Sequence, residues 1–259
     1  MPHADVAGAR INYLVDGPRD APWLTLSNSL GTDFEMWSPQ VPALVQRFRV
    51  LRYDTRGHGA SSVTPPPYSI ALLADDVVGL LDHLGIERTH FCGLSMGGLT
   101  GIRLGLAAPA RIDHLVLCNT GARIGAADAW NARISAVHTS GMASIADVVL
   151  ERFFSPEYRR DEPHEVARIR AVLVKTSTDG YAACCAAVRD YDARPEIAAI
   201  GAPTLVIAGT HDVSTPPADA RYIAEHVRGA RYVELAAAHL SNIEQPADFL
   251  AALIGHLSG

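Results

Sequence analysis

The sequence has no unbroken apolar run long enough to cross a bilayer, no basic tract, no low-complexity stretch and no self-similar period. The first absence excludes a transmembrane helix, and the last excludes solenoids and propellers. Without a basic tract, nucleic acid and anionic membrane surfaces are poor partners. Lys and Arg total 22 against 28 Asp and Glu, so the formal net charge is −6. An anionic ligand would therefore need specific arginines, because the overall field would repel it. Met1 to Asp5 shows no charged segment leading into an apolar one, so no signal peptide is visible. Cysteine is scarce as well. Cys92 and Cys118 sit in apolar runs, where the thiol serves as a small hydrophobe, and Cys184-Cys185 lacks any usual zinc spacing. A cytoplasmic protein with reduced thiols is the expectation.

What is present is a core-former's composition: 48% hydrophobic and 19% charged residues over 259 positions. An antiparallel start, Val6 to Ala9 and Ile11 to Val15, precedes an apolar strand at Trp23 to Ser27. A helical pattern is expected from about Trp37 to Phe48, then a strand from Arg49 to Asp54 entering the loop Arg56-Gly57-His58-Gly59. Further helices are expected from about Ser69 to Leu84, stopped by Gly85, and from Gly97 to Ala108, ended by Pro109. Strands are read at Thr89 to Gly93, Ile112 to Cys118, Pro203 to Gly209 and Ala230 to Leu235, with a last helix from about Pro246 to Leu257. Short strands that are apolar on both faces and alternate with helices predict an α/β fold, a mostly parallel sheet covered on both sides. The alternation lapses between about Gly121 and Pro195, where the composition is mainly helical and no strong strand is found. The expected organisation is a core domain from residues 1–120 and 196–259 with an inserted helical cap at 121–195.

A Gly-x-Ser-x-Gly match is weak by itself, but Gly93-Leu94-Ser95-Met96-Gly97 has a strand directly before it and a helix directly after. That is the context of a nucleophile elbow, a sharp turn that lifts the serine hydroxyl above the sheet. The alternative for these residues is an ordinary turn with a helix-capping serine. A serine hydroxyl needs a base, and the base needs an orienting acid, in the chain order Ser, acid, His. His239 follows the strand ending at Leu235, whereas His226 and His256 lie in helical patterns where a surface histidine is the default. Asp212 follows the strand ending at Gly209. The other position used for an acid, after Cys118, carries Asn119, and Asp54 precedes Ser95 in a loop that reads as structural. For the oxyanion, one donor is expected from the Met96 amide and the other from Leu30, with Ser29 its nearest rival.

With these residues placed, the chain closely resembles the 3-oxoadipate enol-lactonases, bacterial α/β-hydrolases of the β-ketoadipate branch of aromatic degradation. The resemblance covers almost the whole length. It includes Asn28-Ser29-Leu30-Gly31-Thr32, Tyr53 to Gly59, Phe91 to Gly98, Trp130 to Ile134, Gly180 to Cys185, and His239 to Pro246. Many relatives carry His-Gly in the oxyanion loop, where this chain has Asn28-Ser29. The resemblance implies the α/β-hydrolase fold with a Ser95–His239–Asp212 triad and hydrolysis of a small anionic lactone, without metal or organic cofactor. Arg133 is the first choice to hold the substrate carboxylate, with Trp130 beside it; a solvated Arg133 and a purely packing Trp130 are the alternatives. Carboxylesterases, carbon–carbon bond hydrolases and cofactor-free perhydrolases share the triad, and a non-catalytic receptor on the same fold can keep it. A dehalogenase would want Asp at the position of Ser95.

Overall fold

The computed structural model describes residues 2–258. Eight strands form one sheet in the order β1-β2-β4-β3-β5-β6-β7-β8. In chain order they are β1 (His3–Val6), β2 (Ala9–Asp16), β3 (Trp23–Ser27), β4 (Arg49–Tyr53), β5 (Thr89–Leu94), β6 (Ile112–Cys118), β7 (Thr204–Gly209) and β8 (Arg231–Leu235). β1, β2 and β4 pair antiparallel, and every pairing from β4 through β8 is parallel. The expected strand over residues 6–9 is instead a two-residue hairpin turn. Ala7 and Gly8 both have positive φ, 45° and 75°, the backbone that matches the right-handed twist of paired strands.

The helices are α1 (Val41–Leu44), α2 (Ile70–His83), α3 (Met96–Ala107), α4 (Ala127–Ser140), α5 (Ala146–Phe153), α6 (Pro156–Asp161), α7 (Pro163–Lys175), α8 (Thr178–Arg189), α9 (Pro217–His226), α10 (Ser241–Glu244) and α11 (Pro246–Leu257). Ser69 caps α2 by accepting the Leu72 amide at 3.1 Å, and Gly85 at φ 66° ends it. The helix expected from Trp37 to Phe48 does not form as one piece. A 3₁₀ turn at Phe34–Trp37 and the single turn of α1 replace it, because Pro39 and Pro42 each lack the amide that a continuous helix would need, and Pro42 is tolerated only within the first turn of α1. No described helix is long and apolar enough to cross a membrane.

Side-chain alternation along the strands sorts the layers. Phe91 and Leu115 face Gly101 of α3, so their neighbours His90 and His114 face the other side, where His114 meets His256 of α11 at 5.3 Å between ring centroids. His256 is thus buried, against the expectation of a surface residue; the helix pattern marked an apolar stripe but not that this histidine belongs to it. α4 to α8 all lie between β6 and β7. One of them, α8, meets the Arg56–Gly59 loop backbone to backbone: a Cβ added at Gly57 would lie 2.7 Å from Gly180 Cα. All four cysteines are free and buried.

Candidate active site

Ser95 occupies the turn between β5 and α3 at φ 59°, a left-handed conformation that is strained for a residue with a side chain. The glycines around it are there for space. A Cβ at Gly93 would collide with the Gly97 carbonyl, one at Gly97 with the Ser27 carbonyl, and one at Gly98 would lie 2.6 Å from the Thr120 side chain. Ser95 N–H donates to Cys118 O at 2.9 Å, and Thr120 Oγ1 donates to Ser95 O at 2.8 Å. The elbow is therefore fixed on both sides of Ser95.

Asp212 and His239 come together from the loops after β7 and β8. His239 Nδ1 lies 2.8 Å from Asp212 Oδ2. Asp212 Oδ1 accepts the Ser214 and Thr215 amides at 2.8 and 3.0 Å, and Oδ2 also accepts Thr215 Oγ1 at 2.8 Å and Asn119 Nδ2 at 3.0 Å. Burial alone would raise this carboxyl. The His239 ring, the Thr215 amide and the Asn119 amide outweigh burial and hold it below the ordinary carboxylate value. An ionised Asp212 takes the Nδ1 proton of His239 as its hydrogen bond, which leaves the Nε2 lone pair free to act as a base. The ring of Phe153, from the end of α5, stacks on His239 at 5.7 Å and 19°, and Phe153 O accepts the Leu240 amide at 3.0 Å.

Ser95 and His239 line one small cavity of about 80 Å³ together with Ser29, Leu30, Trp130, Arg133, Arg152, Tyr181 and Ser214. Among the described residues no side chain hydrogen-bonds the Ser95 hydroxyl. In unliganded enzymes such catalytic hydrogen bonds are often long and tighten once substrate is bound.

Backbone accounting singles out two amides, one directly after Ser95 in the chain and one in the loop after β3. Ser95 and Gly97 donate to Cys118 O and to Asn28 O, the latter at 3.0 Å. In the loop after β3, Ser29 donates to Met36 Sδ at 3.3 Å and Gly31 to His58 Nε2 at 3.0 Å. Between each pair, the amides of Met96 and Leu30 donate to nothing among the described residues. Ser29, the rival of Leu30, has its amide committed. His58 can accept from Gly31 only as a neutral ring, and burial pushes it down to about 4, against the pull of the Arg56 carbonyl. Asn28 fastens the same loop, accepting Trp37 Nε1 at 3.0 Å and donating to Tyr53 O at 2.8 Å.

On α4, Trp130 and Arg133 are three residues apart and share a face. The guanidinium carbon of Arg133 lies 5.0 Å from the Trp130 ring centroid, and Trp130 Nε1 donates to Ile124 O at 2.7 Å. Arg133 has no carboxylate partner among the described residues, and both side chains border the cavity. Among those residues, no group of three or more His, Cys, Asp or Glu side chains is placed to hold a metal ion.

Sequence reasoning set Asn119 aside as lacking a carboxylate and gave no site role to Phe153, Arg152, Tyr181 or Ser214. Asn119 carried a usable signal, a polar residue tolerant of positive φ at the end of an apolar strand; here its φ is 44°. Phe153, Arg152 and Tyr181 come from the inserted helices, whose spacing says nothing about which turns reach Ser95.

A family model described as "alpha/beta hydrolase fold" matches residues 22–246. The chain is 44% identical over 239 residues to 3-oxoadipate enol-lactonase 2 of Acinetobacter baylyi, covering 92% of this chain and 90% of that protein. The crystal structure of the enol-lactonase from Burkholderia xenovorans superposes with a TM-score of 0.99 at 50% identity, covering 100% of both chains. A thermophilic esterase from Thermogutta terrifontis, solved with malate bound, superposes at 0.93 with 27% identity over 100% of this chain and 98% of that one. With its elbow, its strand order and these likenesses, the chain belongs to the alpha/beta hydrolase fold family.

Proposed function

We propose that the protein is a carboxylic ester hydrolase that opens 3-oxoadipate enol-lactone to 3-oxoadipate in the β-ketoadipate branch of aromatic degradation. One observation carries the reading: a single small cavity is bordered by Ser95 and His239 and also by Arg133, a guanidinium without a carboxylate partner. The activity named for the relatives supplies a matching substrate, a small cyclic ester bearing one carboxylate.

In this mechanism Ser95 Oγ attacks the lactone carbonyl while His239 Nε2 takes its proton, with Asp212 holding the ring by Nδ1. The carbonyl oxygen becomes an oxyanion received by the Leu30 and Met96 amides. As the intermediate collapses, the ring C–O bond breaks and its electron pair goes to the enol oxygen, which His239 protonates. The enol tautomerises to the ketone while tethered through the acyl group. Water activated by His239 then releases 3-oxoadipate. Arg133, its guanidinium over the Trp130 ring, holds the carboxylate, and the inserted helices act as a cap over the cavity.

The test follows the loss of freshly generated enol-lactone with wild-type protein and with Ser95→Ala. Turnover by the wild type and a fall on the order of 10⁴-fold or more in the variant are expected. Absence of turnover by the wild type overturns the substrate, and turnover retained by Ser95→Ala overturns the mechanism.

A further inference from the structure

Among the described residues lining the cavity, Ser29 carries a buried side-chain oxygen without a protein partner. The residue is 1% exposed. Its backbone is fully committed: the amide donates to Met36 Sδ at 3.3 Å, and the carbonyl accepts Thr32 N at 3.3 Å and Thr32 Oγ1 at 2.8 Å. The hydroxyl is what Ser29 has left to offer the cavity. A buried hydroxyl without a partner destabilises a fold, so its place in the cavity that Ser95 also lines needs a reason other than folding. That reason lies next door. Ser29 directly precedes Leu30, whose amide likewise has no acceptor among the described residues.

We propose that the Ser29 hydroxyl is a third donor to the oxyanion, acting with the amides of Leu30 and Met96; this rests on the reading of the cavity as an ester-hydrolysing site. When Ser95 Oγ bonds to the carbonyl carbon, the C=O π pair moves onto oxygen, and Ser29 Oγ–H donates to it without giving up its proton. The proton taken from Ser95 stays on His239 until the leaving oxygen receives it. A neutral carbonyl accepts the same hydrogen bond more weakly, so the contact acts on kcat more than on KM.

Ser29→Ala, assayed with 3-oxoadipate enol-lactone and with 4-nitrophenyl acetate, tests the assignment. A fall in kcat of at least about tenfold on both esters is expected, with KM within about twofold. The melting temperature should equal or exceed that of the wild type, since the variant removes an unpartnered buried hydroxyl. The acetate's leaving group needs no protonation and the acetate bears no carboxylate. It therefore reports on the oxyanion alone, even if the lactone proves not to be turned over. An unchanged kcat, a loss confined to the lactone, or a loss accompanied by a lowered melting temperature would each overturn the proposal. The second would place the hydroxyl on the leaving oxygen, and the third would make it a support of the loop.

Discussion

Asn119 shows how much one residue without acid or base chemistry can decide. Its amide nitrogen donates to Asp212 Oδ2 at 3.0 Å and to Ala238 O at 3.1 Å, while its Oδ1 accepts Ser241 Oγ at 2.5 Å. It thereby ties the acid, the loop carrying His239 and the start of α10 to the end of β6. Asn119→Ala should lower kcat by about 10–100-fold with little change in KM, because Asp212 loses a donor and the His239 loop loses an anchor. Steady-state kinetics on the lactone checks this, and an unaltered kcat would reduce Asn119 to a turn residue. Arg133→Ala should do the reverse, raising KM about 10–100-fold while kcat stays within about threefold, the loss matching one charged hydrogen-bonded contact. Arg133→Lys should recover only part of it, because an ammonium can neither fork onto a carboxylate nor stack on Trp130 as a guanidinium does. An unchanged KM in Arg133→Ala would remove this residue from the site.

At the scale of elements, the loop Arg56-Gly57-His58-Gly59 is the joint on which the site turns. Arg56 is locked in a buried ion pair with Asp76 of α2 at 2.5 Å, and it also donates to Ala7 O at 2.9 Å. His58 reaches from this loop to the Gly31 amide and so shapes the turn that leaves Leu30 unpaired. On its outer side the loop receives α8, where Gly57 and Gly180 touch backbone to backbone and Cys184 Sγ approaches Arg56 O at 3.6 Å. The small residues of Gly180-Tyr181-Ala182-Ala183-Cys184-Cys185 are what permits this approach. Gly180→Ala puts a methyl into the Gly57 carbonyl and should destabilise the fold by about 1–3 kcal/mol through overpacking. Because α8 also supplies Tyr181 to the cavity wall, kcat/KM should fall in the same variant. Calorimetry and kinetics on one preparation test both effects, and a normal melting temperature would show that α8 yields without cost.

For the whole molecule, burial of neutral histidines contributes to the response to acid. His58 is held at about 4 in the fold against 6.5 for an unperturbed ring, with burial the largest cause. The unfolded chain therefore binds a proton that the native chain refuses. The stability this ring contributes is complete above about pH 6.5, declines as pH falls toward 4 and is gone below that. Such a difference in pKa corresponds to about 3 kcal/mol. Burial, then the neighbouring His114, also lower His90, and burial lowers His256; both work in the same direction. The difference in unfolding free energy between wild type and His58→Gln should shrink by up to about 3 kcal/mol from pH 6.5 to pH 4. Urea titrations at several pH values measure it, and a constant difference would mean that His58 titrates alike in the folded and unfolded chain.

The local pattern by itself determined the α/β class, the strand positions from β3 onward, the elbow at Ser95 and the loops bearing Asp212 and His239. It could do so because strand ends, glycine-demanding turns and apolar spacing are short-range properties of the chain. Tertiary structure decided the rest. That the Leu30 amide is free and the Ser29 amide is not depends on Met36 and on His58, which lies 27 residues further along the chain from Gly31. That Asn119 carries Asp212 depends on a contact across 93 residues, and that Phe153 backs His239 depends on how the inserted helices fold onto the sheet. Hydrogen-bond partners and packing neighbours belong to pairs of segments, and no single segment's pattern specifies its partner.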